Sequence, residues 1–358
     1  MRWRNQLEPD ALLDAFAAEP PEGFTLLAGL PAPAFAAPFD LLTTADAGFK
    51  RKLARLPLYA RWSRWLRLRT AFVGTTVSEY APLPRGVAPE ALAAALRQRL
   101  GRGYPLSIVK DLPQQSPLLG AEDNAYAEAL AQACAAQGCV LVEGQALAYV
   151  PIDFDSIDGY LSRLSTSRRK NLKRKLRSRA QVQVRRVPTG EAFASDAAVD
   201  AYYVLYQGVF AQSEVHFDRL TRAFFATVLR DARSGGIVFE YRRASHDAND
   251  GALVGWNLCY EHGGRLVDKY IGLAYPDARE LDLYFVSWMV NLEYALERGL
   301  THYIAGWTDP EVKAKLGAQF TFTRHAVHVR NPVLRALARK FAGRFESDRT
   351  WRDAQEAA

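Results

Sequence analysis

The chain has 358 residues, 49% of them apolar and 24% charged, with 46 Lys and Arg against 39 Asp and Glu for a net charge of +7. Seven Trp, 16 Tyr and 18 Phe exclude a disordered chain, and the length suits one oversized domain or two ordinary ones. Three cysteines (Cys134, Cys139, Cys259) without CxxC spacing exclude a disulfide framework and a zinc-ribbon site, and fit a reducing compartment.

The N-terminal MRWRNQLEPDALLDAF meets acids before any apolar core forms, so it does not read as a signal peptide. A Pro/Ala-rich lead over 19–38 is expected to wrap the surface. A β-rich run follows at 71–80, then an Ala/Leu helix at 89–100, a strand at 106–112 and a helix at 124–137. The stretch 139–150 reads as a strand pair. Strands alternating with helices predict a layered α/β sheet.

The segment 163–179, RLSTSRRKNLKRKLRSR, holds nine Lys and Arg and no acid, so the positive charge of the chain is concentrated there. Leu164, Leu172 and Leu176 share one helical face, which predicts a helix with a narrow apolar seam and a cationic exterior. A localised positive field calls for an anionic partner: a phosphorylated cofactor, a nucleic acid or an acidic membrane face. The bland alternative is a solvated helix.

A strand is expected at 182–187, helices at 197–212 and 217–232, and an antiparallel meander at 236–243, 252–261 and 265–275. The polar loop SHDAND and the turn His262-Gly263-Gly264 separate its strands. A long apolar helix, 280–298, is interrupted by Asp282, Asn291 and Glu293 and falls short of the roughly 20 apolar residues of a membrane span. The chain is therefore expected to be cytoplasmic and to lack a transmembrane segment. A strand at 301–305, a short helix at 309–316, a strand at 320–329 and an amphipathic helix at 332–345 complete it. That last helix sets Leu334, Leu337, Phe341 and Phe345 against Arg335, Arg339, Lys340 and Arg344. It either touches anionic lipid peripherally or docks on the domain, and docking is the reading taken. There is no GxGxxG, GxxxxGK[ST], HExxH or GxSxG.

The segments LVDKYIGLAYPDARELDLYFVSWMVNLEYALERGL (266–300) and GWTDPEVKAKLGAQF (306–320) resemble the acyl-binding half of the GNAT N-acyltransferase superfamily. Within it they are most similar to the FemAB-like, BioF2-like acetyltransferase branch. The helix with SRRKNLKRKLR resembles the basic helix that opens the second domain there. The resemblance implies an α/β (α+β) fold of two GNAT-like units, with mixed, mostly antiparallel sheets flanked by helices and a basic helix between them. The expected division is a degenerate unit at 1–155, an acyltransferase unit at 156–330 opened by the basic helix (160–180), and a C-terminal helix and tail at 331–358.

The implied activity is N-acyl transfer from acyl-CoA (acetyl-CoA) to a small-molecule or peptide amine, without a metal. The alternatives are aminoacyl-tRNA-dependent transfer to a cell-envelope precursor, with tRNA as partner, and a non-catalytic nucleic-acid or envelope-binding protein. One departure bears on the donor: the stretch AYPDARELD (274–282) has Pro276 and acids where the superfamily's glycine loop offers amides to the CoA pyrophosphate.

The family register places Lys313 four residues before Gly317, where a lysine would stabilise the oxyanion or protonate the leaving atom. Its structural alternative is a surface lysine on a short helix. Asp268 and Tyr270 lie on the strand that, in the GNAT enzymes it resembles, opens to admit the acyl chain, and by that resemblance either would take the amine proton, directly or through water. Alternation puts those two on one face and Lys269 on the other. Trp256 and Asn257 either line the same slot or belong to the core. Trp307 and Asp309 follow a strand's C-terminal end, where ligands approach an open sheet. Arg168, Arg169 and Lys173 are expected to contact donor phosphate, and Lys315 to be solvated or to touch phosphate. His325 and His328 fall on a strand with their spacing set across its two faces, which argues against a metal pair.

Overall fold

The computed structural model describes residues 2–41, 51–52, 55–57, 59–213, 216–244 and 251–341. The SHDAND loop, Arg344 and Phe345 lie outside the described residues. The chain divides into two compact units, one formed by 1–6, 20–146 and 321–358 and the other by 7–19 and 147–320. The compact units divide at 146/147 and 320/321, beside the expected 155 and 330. The strands Val140–Pro151 and Gln319–Val329 each pass from one unit to the other, so the boundaries fall inside strands, where sequence carries no linker signal.

In the first unit the sheet contains β1 (Thr25–Leu26), β2 (Ala34–Asp40), β3 (Arg67–Val73), β4 (Leu106–Gln114), the start of β5 (Val140–Pro151) and most of β11 (Gln319–Val329). β1–β2, β2–β3 and β4–β11 pair antiparallel, while β3 and β4 pair in parallel from Thr70↔Leu106 to Val73↔Val109. A parallel pair needs a crossover, and helix Pro89–Leu100 supplies it. Leu92, Leu96 and Leu100 recur every fourth residue and are buried, while Pro89 starts the helix where its missing N–H is harmless. Helix Ala121–Ala136 buries Tyr126, Leu130 and Cys134 in the same core.

Two expectations change here. The 19–38 lead does not simply wrap the surface: Ala34–Asp40 is a paired strand with Phe35, Ala36 and Ala37 buried. Its Pro38 lies past the two residues matched to β1, on an edge where no N–H is needed. The region 139–150 is one strand rather than a pair, and 75–80 lies outside strand β3. In the C-terminal helix Pro332–Phe341, Val333 and Leu334 are 68% and 55% exposed, so these two side chains do not dock.

The second unit orders its strands as the end of β5, then β10 (His302–Gly306), β9 (Arg265–Leu273), β8 (Leu253–His262), β7 (Gly236–Arg243) and β6 (Val182–Pro188). The meander β7-β8-β9 is antiparallel as expected, and β9–β10 is the parallel pair. Helix Leu283–Glu297 makes that crossover and is buried along most of its length, with Val286, Met289, Val290 and Leu292 in the core. Helices Asp196–Gln212 and Arg222–Arg230 are amphipathic, and Ser195 and Thr221 cap them by accepting from the Ala198 and Phe224 amides. The basic helix, Thr166–Lys175, starts at Ser165 and anchors through buried Leu164 and Leu172. The expected fold class is the observed one: two α/β units with mostly antiparallel sheets.

Candidate functional site

The parallel ladder between β9 and β10 has three pairs, His302↔Arg265, Tyr303↔Leu266 and Ile304↔Val267. Beyond it β9 continues with β8 as far as Leu273, whereas β10 stays with β5 and bulges between Ile304 and Gly306. The two parallel strands thus part at their C-terminal ends, the place where open sheets take ligands. Asp268 is the first residue of β9 beyond the last pair.

Three elements converge on its carboxylate. Asn257 of β8 donates to Oδ1 at 3.2 Å, while Asn291 of helix Leu283–Glu297 and Tyr303 of β10 donate to Oδ2 at 3.0 and 2.9 Å. Asn257 in turn accepts from Tyr241 Oη at 2.6 Å. All these donors are neutral. Burial pushes the Asp268 carboxyl above the usual carboxylate range, and the bonds from Asn257 and Tyr303 and the charge of Lys313 only partly oppose it. Tyr303 is held well above the usual phenol range, by burial first and then by Asp268, so it remains a proton donor in the network.

Lys313 is 4% exposed and not a surface lysine. Its Nζ donates to the carbonyls of Ala305 at 2.6 Å and Gly306 at 3.1 Å, the segment where β10 bulges and Gly306 takes φ +79°. It sits in helix Pro310–Lys315, which follows Asp309 in the left-handed region at φ +54°. The ammonium therefore holds the open end of β10 and lends positive charge to Asp268.

Tyr270 does not join them, which corrects the alternation argument. The β8–β9 register slips between Leu258↔Tyr270 and Cys259↔Asp268, so Lys269 is an extra residue. A bulge of one residue reverses the facing of the strand beyond it. Tyr270 instead meets Phe224 and Phe225 at ring distances of 5.7 and 5.5 Å, and Lys269 pairs with Glu8 at 3.4 Å. Trp256 is a core residue: fully buried, it donates from Nε1 to Tyr202 O at 3.0 Å. Asn257, its neighbour on the opposite face, belongs to the site.

Asp309 is exposed and Trp307 half-buried at the mouth of β10. Tyr284 faces the same region: burial raises it most, and the charges of Asp309 and Asp268 add to that. Its hydroxyl is buried and finds no hydrogen-bond partner among the described residues. Asn291, Tyr303 and Tyr284 escaped the sequence reading. Asn291 left one signal, as an amide inside an otherwise apolar helix.

Five consecutive amides of the stretch 274–282 do not face outward. Those of Ala278, Arg279, Glu280, Leu281 and Asp282 donate to Ala274, Pro276, Pro276, Asp277 and Arg279 within the loop. Asp277 and Asp282 are paired with Arg243 and Lys175, the latter at 3.0 Å. On the basic helix, Arg168 is exposed and Arg169 half-buried, while Lys173 lies 3.7 Å from Asp158 on the surface. Arg179, in the turn that follows the helix, is fastened bidentately to Glu293 at 2.9 and 2.7 Å. Lys315 is exposed. Among the described residues no helix is long and apolar enough to cross a membrane.

Comparison with solved structures finds the same fold at low identity. L-PGS from Bacillus licheniformis is 11% identical, with 94% of this chain and 98% of that one covered at a TM-score of 0.51. FemX is 12% identical over 94% and 96% of the two chains, also at 0.51. The C-terminal domain of a protein assigned as a lysylphosphatidylglycerol synthetase from Agrobacterium fabrum is 13% identical over 93% and 91%, again at 0.51. No curated protein sequence matches. The FemAB-like family model, described as peptidoglycan biosynthesis/recognition, matches residues 95–356. With most of its length matched, the chain belongs to the FemAB-like family.

Proposed function

We propose that the second unit is an N-acyltransferase site that moves an aminoacyl group onto an amine where β9 and β10 part. The observation that carries this reading is the position of Asp268, one residue past the last β9–β10 pair, its carboxylate held only by neutral donors. A carboxyl with a raised pKa is a better base than an ordinary one. In the proposed step the amine nitrogen attacks the donor carbonyl, its surplus proton passes to Asp268, and the C–O or C–S bond to the carrier breaks as that proton is handed on to the departing oxygen or sulfur. Lys313, bonded to two carbonyls, acts by holding the open end of β10 and by its charge, not as a mobile acid.

Two donors fit the family, and the loop 274–282 favours one. A CoA pyrophosphate asks for outward-facing amides, and here five consecutive amides are bonded within the loop beside acidic side chains. Aminoacyl-tRNA needs no such cradle, and Arg168, Arg169 and Lys173 on the basic helix, with Lys315, supply phosphate contacts from outside the loop. The family description points to an amine of a peptidoglycan precursor as acceptor.

The test is transfer of a radiolabelled amino acid from charged tRNA to a peptidoglycan-type peptide amine, run beside labelled acetyl-CoA. We expect transfer from tRNA only, with binding that weakens steeply with salt. The slope of that salt dependence should become shallower by about 1 in Arg168→Gln and in Arg169→Gln, one phosphate being released by each substitution. Transfer from acetyl-CoA alone would reverse the donor assignment, and transfer from neither would sink the enzymatic reading.

A further inference from the structure

Helix Ala121–Ala136 ends in a motif that brings two cysteines together. Gly138 adopts φ +88°, its amide donates to Ala135 O at 2.9 Å, and the Cys139 amide donates to Cys134 O at 3.0 Å. These are the two bonds of a Schellman cap, in which the side chains three residues before the end and two residues after it touch. Those positions are usually apolar; here both are cysteine.

We propose that Cys134 and Cys139 form a reversible dithiol–disulfide pair, oxidised by peroxide, with Cys139 as the attacking thiol and Cys134 as the resolving one. The two thiols are hydrogen-bond partners. Cys134 is buried and Cys139 half-buried, so the latter is the one a small oxidant meets. Both line a cavity of about 20 Å³, room for one water-sized molecule, together with Arg97 and His328. The bond to Cys134 holds the Cys139 thiol below its usual range, burial opposes this, and Arg97 and Arg335 add to the lowering. His328 is pushed down to about 4 by burial and the same arginines, so it faces the cavity neutral.

In the first step the Cys139 thiolate attacks a peroxide oxygen. The S–O bond forms, the O–O bond breaks, and the departing hydroxide takes a proton to become water. In the second step Cys134 sulfur attacks the sulfenic sulfur: the S–S bond forms, the S–O bond breaks, and the Cys134 proton leaves with the hydroxide as a second water. The bond fastens the end of helix Ala121–Ala136 to the residue preceding β5. A thiol reductant reverses it.

The experiment treats the full-length protein with hydrogen peroxide and maps its peptides by mass. We expect the peptide spanning both cysteines to lose two hydrogens and regain them with dithiothreitol, while fully buried Cys259 remains alkylatable only after denaturation. In Cys134→Ser, dimedone should label Cys139; in Cys139→Ser, Cys134 should remain unlabelled. Retention of both free thiols after peroxide would overturn the proposal. So would labelling of Cys134 in Cys139→Ser, or a disulfide that forms only when Cys259 also becomes alkylatable, since that marks unfolding.

Discussion

Each of the two units contains a parallel strand pair, and each sets an aspartate just beyond the end of its ladder, but they treat the charge in opposite ways. In the first unit β3 and β4 separate after Val73↔Val109, and the next two residues of β4 are Lys110 and Asp111. Lys110 Nζ donates to Thr75 O at 2.7 Å and to the Asp111 carboxylate, while the Asp111 amide, at φ +52°, donates to His325 Nδ1 at 3.0 Å. A full cation closes that position into an ion pair. In the second unit Asp268 receives only neutral donors, and burial leaves its carboxyl raised. An ion pair at a ladder's end is structural; a carboxylate kept among amides and a phenol is available to exchange a proton.

The sharpest way to break this contrast is Asp268→Asn. Loss of a general base should lower the transfer rate about 10²- to 10⁴-fold, measured under saturating donor. The native-state pKa of Asp268 lies above the unfolded value of about 3.9, so ionised Asp268 weakens folding progressively as pH rises through that window. Asp268→Asn should therefore be no less stable than the parent at neutral pH, with the acid limb of the pH–rate profile gone. If the limb persists, another group is the base.

Asp111→Asn tests the other side. Breaking a buried pair costs about 3–5 kcal/mol, so denaturant unfolding should show a large loss while turnover per folded molecule stays unchanged. A catalytic defect here would make the first unit part of the chemistry. Lys313→Met keeps the volume but removes the donor to two carbonyls, each worth about 1–3 kcal/mol when left unpaired. It should lose both stability and rate, and an unaltered rate would confine the lysine to structure. The smallest effect is expected for Tyr270→Phe, whose ring packs on Phe224 and Phe225, away from Asp268. A rate drop of an order of magnitude would restore it to the site.

Much of this molecule could be read along the chain. The meander, the buried helix and the strand after it declare themselves by period-two and fourth-residue repetition, and β7 begins and ends where the alternation says. The basic segment could be located for the same reason, as local charge density with leucines on one face. Asp268, Asn257 and Lys313 could be singled out because the register of the family attaches to local motifs. What sequence could not supply is the consequence of register. One extra residue at Lys269 sends Tyr270 to the opposite face from Asp268, and no periodicity marks a bulge in advance. Strands that pass between units conceal the domain boundaries, because a strand reads alike on both sides of such a line.

The sequence by itself therefore determined most strands and helices of the second unit, where the cation density lies, and which lysine and aspartate to single out. Those depend on neighbours a few residues apart. Only the tertiary structure decided that Asn257, Asn291 and Tyr303, drawn from two strands and a helix, meet on one carboxylate, and that Lys313 is buried against β10 instead of solvated. Hydrogen bonds across tens of residues form only once the sheet has set its register, and register is a property of paired strands, not of either alone.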